Sequence, residues 1–141
     1  MDKNLEKIVH FIREHHVLSL ATSDGKMLSS CNLFFAYGEK ELSFVVASSD
    51  DTTHIGNILK HPEVAGSIVL ETKTVTNIQG LQFRGVFSVL QDNELKKLYF
   101  KTFPFSIALS PKLWKIKVDY FKLTDNTLGF GKKIIWQEAF L

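Results

Sequence analysis

The sequence is poor in cysteine, in charge of one sign and in long apolar runs, and each shortage removes a class of function. Cys31 is the one cysteine in 141 residues, which excludes an intramolecular disulfide and makes the reducing cytoplasm the expected setting. Seventeen Lys and Arg stand against fifteen Asp and Glu, a net charge of +2. The two signs are interspersed, so the basic stripe that a phosphate backbone requires is missing, and nucleic acid is not an expected partner. No run is long enough to cross a bilayer, and Met1-Asp2-Lys3-Asn4 leads straight into a charged amphipathic stretch without the apolar core of a signal peptide, so no membrane partner is expected. A Gly-x-Gly-x-x-Gly after the first strand is absent too, as is the alternating helix and strand rhythm of a doubly wound nucleotide fold.

What is present describes a globular chain. Apolar residues make up 45% and charged residues 23%, and a chain of this length buries roughly two-thirds of its unfolded surface, so residues 1–141 are read as one domain. Twelve phenylalanines call for a large aromatic core, a flat ring-binding pocket or a buried oligomer interface.

Leu5, Ile8, Val9 and Ile12 follow helical spacing between Asp2, a ready N-cap, and His16. Val17 to Thr22, Met27 to Tyr37 and Glu41 to Ala47 are β-type runs joined by turn signals, Asp24-Gly25 the strongest of them, and they predict a three-stranded meander. Ile55, Ile58 and Leu59 predict a short helix ending at Pro62, followed by a strand from Val64 to Glu71. Lys73 to Asn77 reads as a turn or an edge. Ile78 to Leu90 reads as a long strand bent at Gly80 and Gly85, as when a sheet curls into a barrel. Glu94 to Phe103 predicts a helix, Leu113 to Leu123 a half-buried strand, Thr124 to Lys133 a loop, and Ile134 to Trp136 a last short strand. Six or seven mostly antiparallel strands with about three helices define a small α+β barrel.

The stretch from Leu42 to Pro62 carries the best candidate site. It reads as strand, polar turn and helix, so Ser48, Ser49, Thr52 and Thr53 gather at a helix N-terminus, where backbone N–H groups and the helix dipole favour a phosphate. His54 in the first turn is either a phosphate partner or a solvated helix histidine. Asp50 and Asp51 must point away from a bound phosphate, cap the helix, or count against a phosphate here. Asn32, Ser29 and Ser30 face either a barrel interior, where a ligand would satisfy them, or solvent. Gln79 and Gln82 sit in the glycine-interrupted strand, where a backbone can approach a flat ligand. Lys132 and Lys133 form either a mobile cover for an anion or an exposed pair. The spacing of His10, His15 and His16 puts no pair on one helical face, and Cys31 has no nucleophile motif around it.

In its order of elements the chain resembles the pyridoxamine phosphate oxidase-like family of FMN-binding split barrels. The family's signature is a strand ending in a hydroxyl residue, a short turn, then Ser-Arg-Lys opening a helix with a proline eight residues after the lysine. Here Ser48 takes the first hydroxyl place, Thr52-Thr53-His54 takes the Ser-Arg-Lys place, and Pro62 follows His54 by eight. The run from Gly80 to Gly85, the Phe103-Pro104 helix end and the tail Thr-Asp-Asn-Thr-Leu-Gly-Phe-Gly-Lys-Lys are similar to a small bacterial branch of that family. The oxidase's own Arg-x-x-x-x-Lys in the second strand and its C-terminal Arg-x-His-x-Arg have no counterpart. The resemblance implies an FMN-binding split barrel, a phosphate held by Ser48, Thr52, Thr53 and His54, and a homodimer with flavin between subunits. Arg84, Lys132 or Lys133 would supply the missing positive charge. It implies a flavin-dependent oxidoreductase acting on a small substrate other than pyridoxamine phosphate. A second reading, of another class, is a non-catalytic barrel that carries flavin or holds heme; a third is a deazaflavin-dependent relative.

Overall fold

A computed structural model describes residues 2–139. Helix α1 (Lys3–Arg13) is capped by the Asp2 carboxylate, which accepts from the backbone N–H of Asn4 at 2.7 Å and of Leu5 at 3.1 Å. It buries Leu5, Ile8, Val9, Phe11 and Ile12. It stops at Arg13 instead of running to His16, because the chain must turn into β1 (Val17–Ser23), and the His16 carbonyl is already taken by the Phe35 N–H. β1 pairs antiparallel with β2 (Leu28–Phe34) through the expected Asp24-Gly25 turn, in which the Asp24 carboxylate accepts from Lys26 and Met27 N–H and Gly25 takes φ +98°.

The predicted second strand breaks at Phe35. Its ring is buried and packs edge-on against Phe44, and Ala36–Gly38 continues as a separate strand, β3, paired with β4 (Ser43–Ala47). The remaining elements are α2 (Thr53–Lys60), β5 (Glu63–Leu70), β6 (Gln79–Val89), α3 (Asn93–Thr102), β7 (Leu113–Asp125) and β8 (Lys133–Gln137). Among the described residues that makes eight strands in one antiparallel sheet, in the order β2-β1-β5-β6-β7-β4-β3, with β8 on β7. The expected meander from residue 17 to 47 is therefore two hairpins at opposite ends of the sheet. One residue separates them in sequence, so the sheet curls until its ends meet at Phe35: a barrel split along one seam.

Inside the barrel Phe44, Phe83 and Phe121 are fully buried, with the Phe44 and Phe83 rings 4.8 Å apart. β4 is buried on both faces, Phe44 and Val46 toward the barrel and Val45 toward α3, whose Leu95 and Tyr99 close a second cluster. β6 and β7 shift register between Arg84 and Gly85, where a Cβ would collide with the Lys117 carbonyl. Of the two glycines expected to bend this strand, Gly85 is thus required by close approach, whereas Gly80 faces open space. The stretch at residues 73–77 forms a 3-10 turn over Val75–Asn77, and a second 3-10 turn, Pro104–Leu109, follows α3.

Candidate functional site

Ser48 is the first residue past β4, where a strand buried on both faces delivers it to a fixed place. Its N–H donates to the Lys112 carbonyl at 3.1 Å, and its own carbonyl accepts from the Trp114 indole N–H at 3.0 Å. The turn that follows is closed by Thr52, whose hydroxyl donates to the Ser49 carbonyl at 2.9 Å and accepts from Ile55 N–H at 3.4 Å as the N-cap of α2. That cap turns the first helical residues back toward Ser48. His54 Nε2 lies 2.7 Å from Ser48 Oγ and 3.4 Å from Thr52 Oγ1. Burial pushes the His54 pKa below its ordinary 6.5, so at neutral pH the ring is uncharged, and Nε2 accepts the Ser48 hydroxyl proton when the ring proton is on Nδ1.

Helix α2 is anchored beneath by Asn57, a buried residue whose amide donates to Thr22 Oγ1 of β1 at 3.0 Å. Neither acidic residue of the turn caps the helix. Asp50 is drawn to Lys112, whose Nζ lies 2.9 Å away and sits 4.7 Å over the Trp114 ring.

The structure thus gathers Ser48, Thr52 and His54 into one cluster, with Ser49 and Thr53 exposed on its rim. The other candidates lie elsewhere. Asn32 is on the outer, exposed face of β2, where its Oδ1 accepts from Ser19 Oγ at 2.8 Å; Ser30 shares that face, and Ser29 points to the opposite one. Gln82 lines an open groove of about 560 Å³ on the outer face of β1, β5, β6 and β7, alongside Arg84, which stacks 4.2 Å over Tyr120. Lys132 and Lys133 flank the start of β8, where Lys133 pairs with Thr124 near the end of β7. Ser48 is bonded just ahead of the other end of β7, so the lysines and the cluster lie at opposite ends of this 13-residue strand within one protomer. No sequence signal marked Lys112, which follows Pro111 in a short connection, or Trp114 as parts of this corner; the alternation that placed Trp114 in a strand indicates burial and nothing about its indole N–H.

A curled antiparallel sheet split at one seam, with a hydroxyl and imidazole cluster at the strand-to-helix turn, defines a split barrel of the pyridoxamine phosphate oxidase-like fold. The same fold is found in a heme-binding protein from Mycobacterium smegmatis (TM-score 0.80, 14% identity, 97% of this chain and 59% of that one). It recurs in a candidate pyridoxamine 5'-phosphate oxidase from Listeria innocua (0.69, 17%, 84% and 96%) and in a FAD-binding protein from Mesorhizobium loti (0.71, 11%, 84% and 90%). No family model matches the sequence. The chain belongs to the UPF0306 family: it is 35% identical over 138 residues to the UPF0306 protein of Cronobacter sakazakii, covering 96% of both chains. Among the described residues no helix is long and apolar enough to cross a membrane.

Proposed function

We propose that the chain binds FMN, with the phosphate at Ser48, Thr52, Thr53 and His54, and acts as a cytoplasmic flavin-dependent oxidoreductase on a small substrate. The observation that carries this reading is the approach of two hydroxyls to His54 Nε2 at the capped start of α2. The Ser48 hydroxyl, with the backbone N–H groups of the helix start that Thr52 caps, fits a phosphate monoester, and the Asp50 carboxylate that would repel it is held on Lys112. Bound FMN supplies the electron-transfer chemistry; the chain supplies position and electrostatics. Ser48 orients the phosphate, Thr52 holds the turn and the helix start that face it, and His54 accepts a proton as the dianion arrives.

The flavin lies between two copies of the chain. Support comes from the outer faces of β2, β1, β5 and β6, which expose Leu28, Phe34, Val17, Val69 and Val86 with Glu63 and Arg84 as their two charged side chains among the described residues. Depletion of charge on a partly apolar face marks an interface core. A second copy is also what brings Lys132 and Lys133, distant in cis, within reach of a phosphate.

Purified protein reconstituted with FMN tests the reading. A flavin absorbance band that co-elutes with the protein, quenched flavin fluorescence and loss of both in Thr53→Ala/His54→Ala are expected. Equal uptake by that double variant sinks the phosphate assignment. Anaerobic reduction of the bound flavin by NADH or NADPH, compared with free FMN, decides between enzyme and carrier. The TM-score of 0.80 to a heme-binding protein makes hemin the competing ligand, and a Soret band on titration with no flavin uptake would favour the heme reading.

A further inference from the structure

The cluster at Ser48 has hydroxyls and an uncharged imidazole for a dianion, yet a cation is stored beside it. Lys112 reaches this corner by two routes. Its carbonyl accepts the Ser48 N–H at 3.1 Å, so its backbone is fixed against the residue that leads the cluster. Its Nζ returns over the Trp114 ring at 4.7 Å and ends 2.9 Å from Asp50 Oδ1, two residues after Ser48 in the same turn. Trp114 is itself buried and bonded through its indole N–H to the Ser48 carbonyl. Lys112, Trp114, Ser48 and Asp50 thus form one closed loop of contacts around the turn.

We infer that Lys112 is the phosphate-charge partner of this site, parked on Asp50 in the free protein and transferred to the phosphate when ligand binds. The exchange swaps one anion for another at a single ammonium. Both Lys112 and Asp50 are substantially exposed, and an exposed ion pair is a weak contact, so the carboxylate is a displaceable counter-ion. A phosphate dianion carries more charge than a carboxylate and offers three acceptor oxygens, which favours the transfer. The indole face keeps the lysine stem in place through the exchange, so the ammonium changes partner without the side chain having to be found again. Asp50, an apparent liability beside a phosphate, becomes the group that sets how much of the ammonium's attraction is left for ligand.

This inference rests on the cluster being the phosphate seat, and the test separates the two. Affinities for FMN and for riboflavin, which lacks the phosphate, are measured for the wild type and for Lys112→Met, Asp50→Asn and Ser48→Ala. Lys112→Met keeps a stem to cover Trp114, and thermal melting verifies its fold. The FMN-over-riboflavin preference is expected to fall roughly tenfold or more in Lys112→Met, the loss of one charge-assisted bond. It is expected to rise up to about fivefold in Asp50→Asn, where the competing carboxylate is gone. Lys112→Met retaining the preference while Ser48→Ala loses it overturns this inference and leaves the phosphate seat standing. Absence of any preference in the wild type removes both. A preference that falls in Asp50→Asn also overturns the exchange, since it would mean that the pair holds the turn and Lys112 does not change partner.

Discussion

If FMN binds at this site as proposed, His54 should make the affinity depend on pH with a sign opposite to that of the free protein's stability. In the free protein, burial pushes its pKa below 6.5, and its Nε2 lies 2.7 Å from the Ser48 hydroxyl. A phosphate dianion brought to that hydroxyl raises the pKa again, because an opposite charge at contact favours the imidazolium. Between the two values binding takes up one proton, so affinity falls as pH rises, by at most about tenfold per pH unit. The phosphate's own second pKa is about 6, so the clean window lies above about pH 7. The folding contribution runs the other way. A histidine whose folded pKa is depressed contributes stability that is fully present above the unfolded 6.5 and is lost as pH falls through the folded value. His15, also depressed by burial, adds to this in the same direction. The free protein is therefore expected to melt at lower temperature as pH drops from about 7.5 to 5, while FMN binds more weakly as pH rises between the depressed free value of His54 and its raised value beside phosphate. Isothermal titration calorimetry in two buffers of different ionisation enthalpy measures the proton uptake directly. His54→Gln should abolish both the slope and the uptake, and riboflavin should show neither. A flat profile for FMN, or an equal slope for riboflavin, refutes the role given to His54.

Two further outcomes are open to direct measurement. Lys132→Ala/Lys133→Ala, exposed at the start of β8 beside the far end of β7, should leave the melting temperature within a degree or two and weaken FMN roughly tenfold if a second copy brings the pair to the phosphate; unchanged affinity in a protein shown to be dimeric rules the pair out. Phe44→Ala empties the middle of the aromatic core, where Phe44 lies within 5.0 Å of Phe35, Tyr37 and Phe83, and should cost about 3–5 kcal/mol in urea unfolding, with a loss under 1 kcal/mol meaning that the core is not packed as described.

The barrel was legible in the sequence wherever a pattern was local. Alternation along Leu113 to Leu123, the Asp24-Gly25 turn and the helical spacing of Leu5, Ile8, Val9 and Ile12 each place an element within a few residues of its observed limits. Sheet order was not legible, because strand partners are chosen by packing between distant segments: nothing local to Phe34, Phe35 and Ala36 says that the chain leaves one end of the sheet there and joins the other. The candidate site divides in the same manner. Ser48, Thr52 and His54 were visible because seven residues of one turn hold them. Lys112 and Trp114 reach that turn from across the β4–β7 ladder, and Asn32, Gln82 and Lys132 were offered from their local context in a strand or loop, which carries no information on their distance from the turn.

The seam at Phe35 has a bearing on how this barrel moves. β2 and β3 are successive in the chain yet form no ladder with each other among the described residues, so the barrel's circumference is completed there by the Phe35 link and by side-chain packing, Phe35 on Phe44 and Phe34 on Phe103, in place of backbone pairing. Parting the two hairpins at that seam would cost side-chain packing and no backbone ladder between β2 and β3. Amides on the outer edges of β2 and β3 should then exchange with solvent well ahead of those in β6 and β7, and anything that bridges the two sides of the seam would act as a clasp, stiffening the whole circumference from one point.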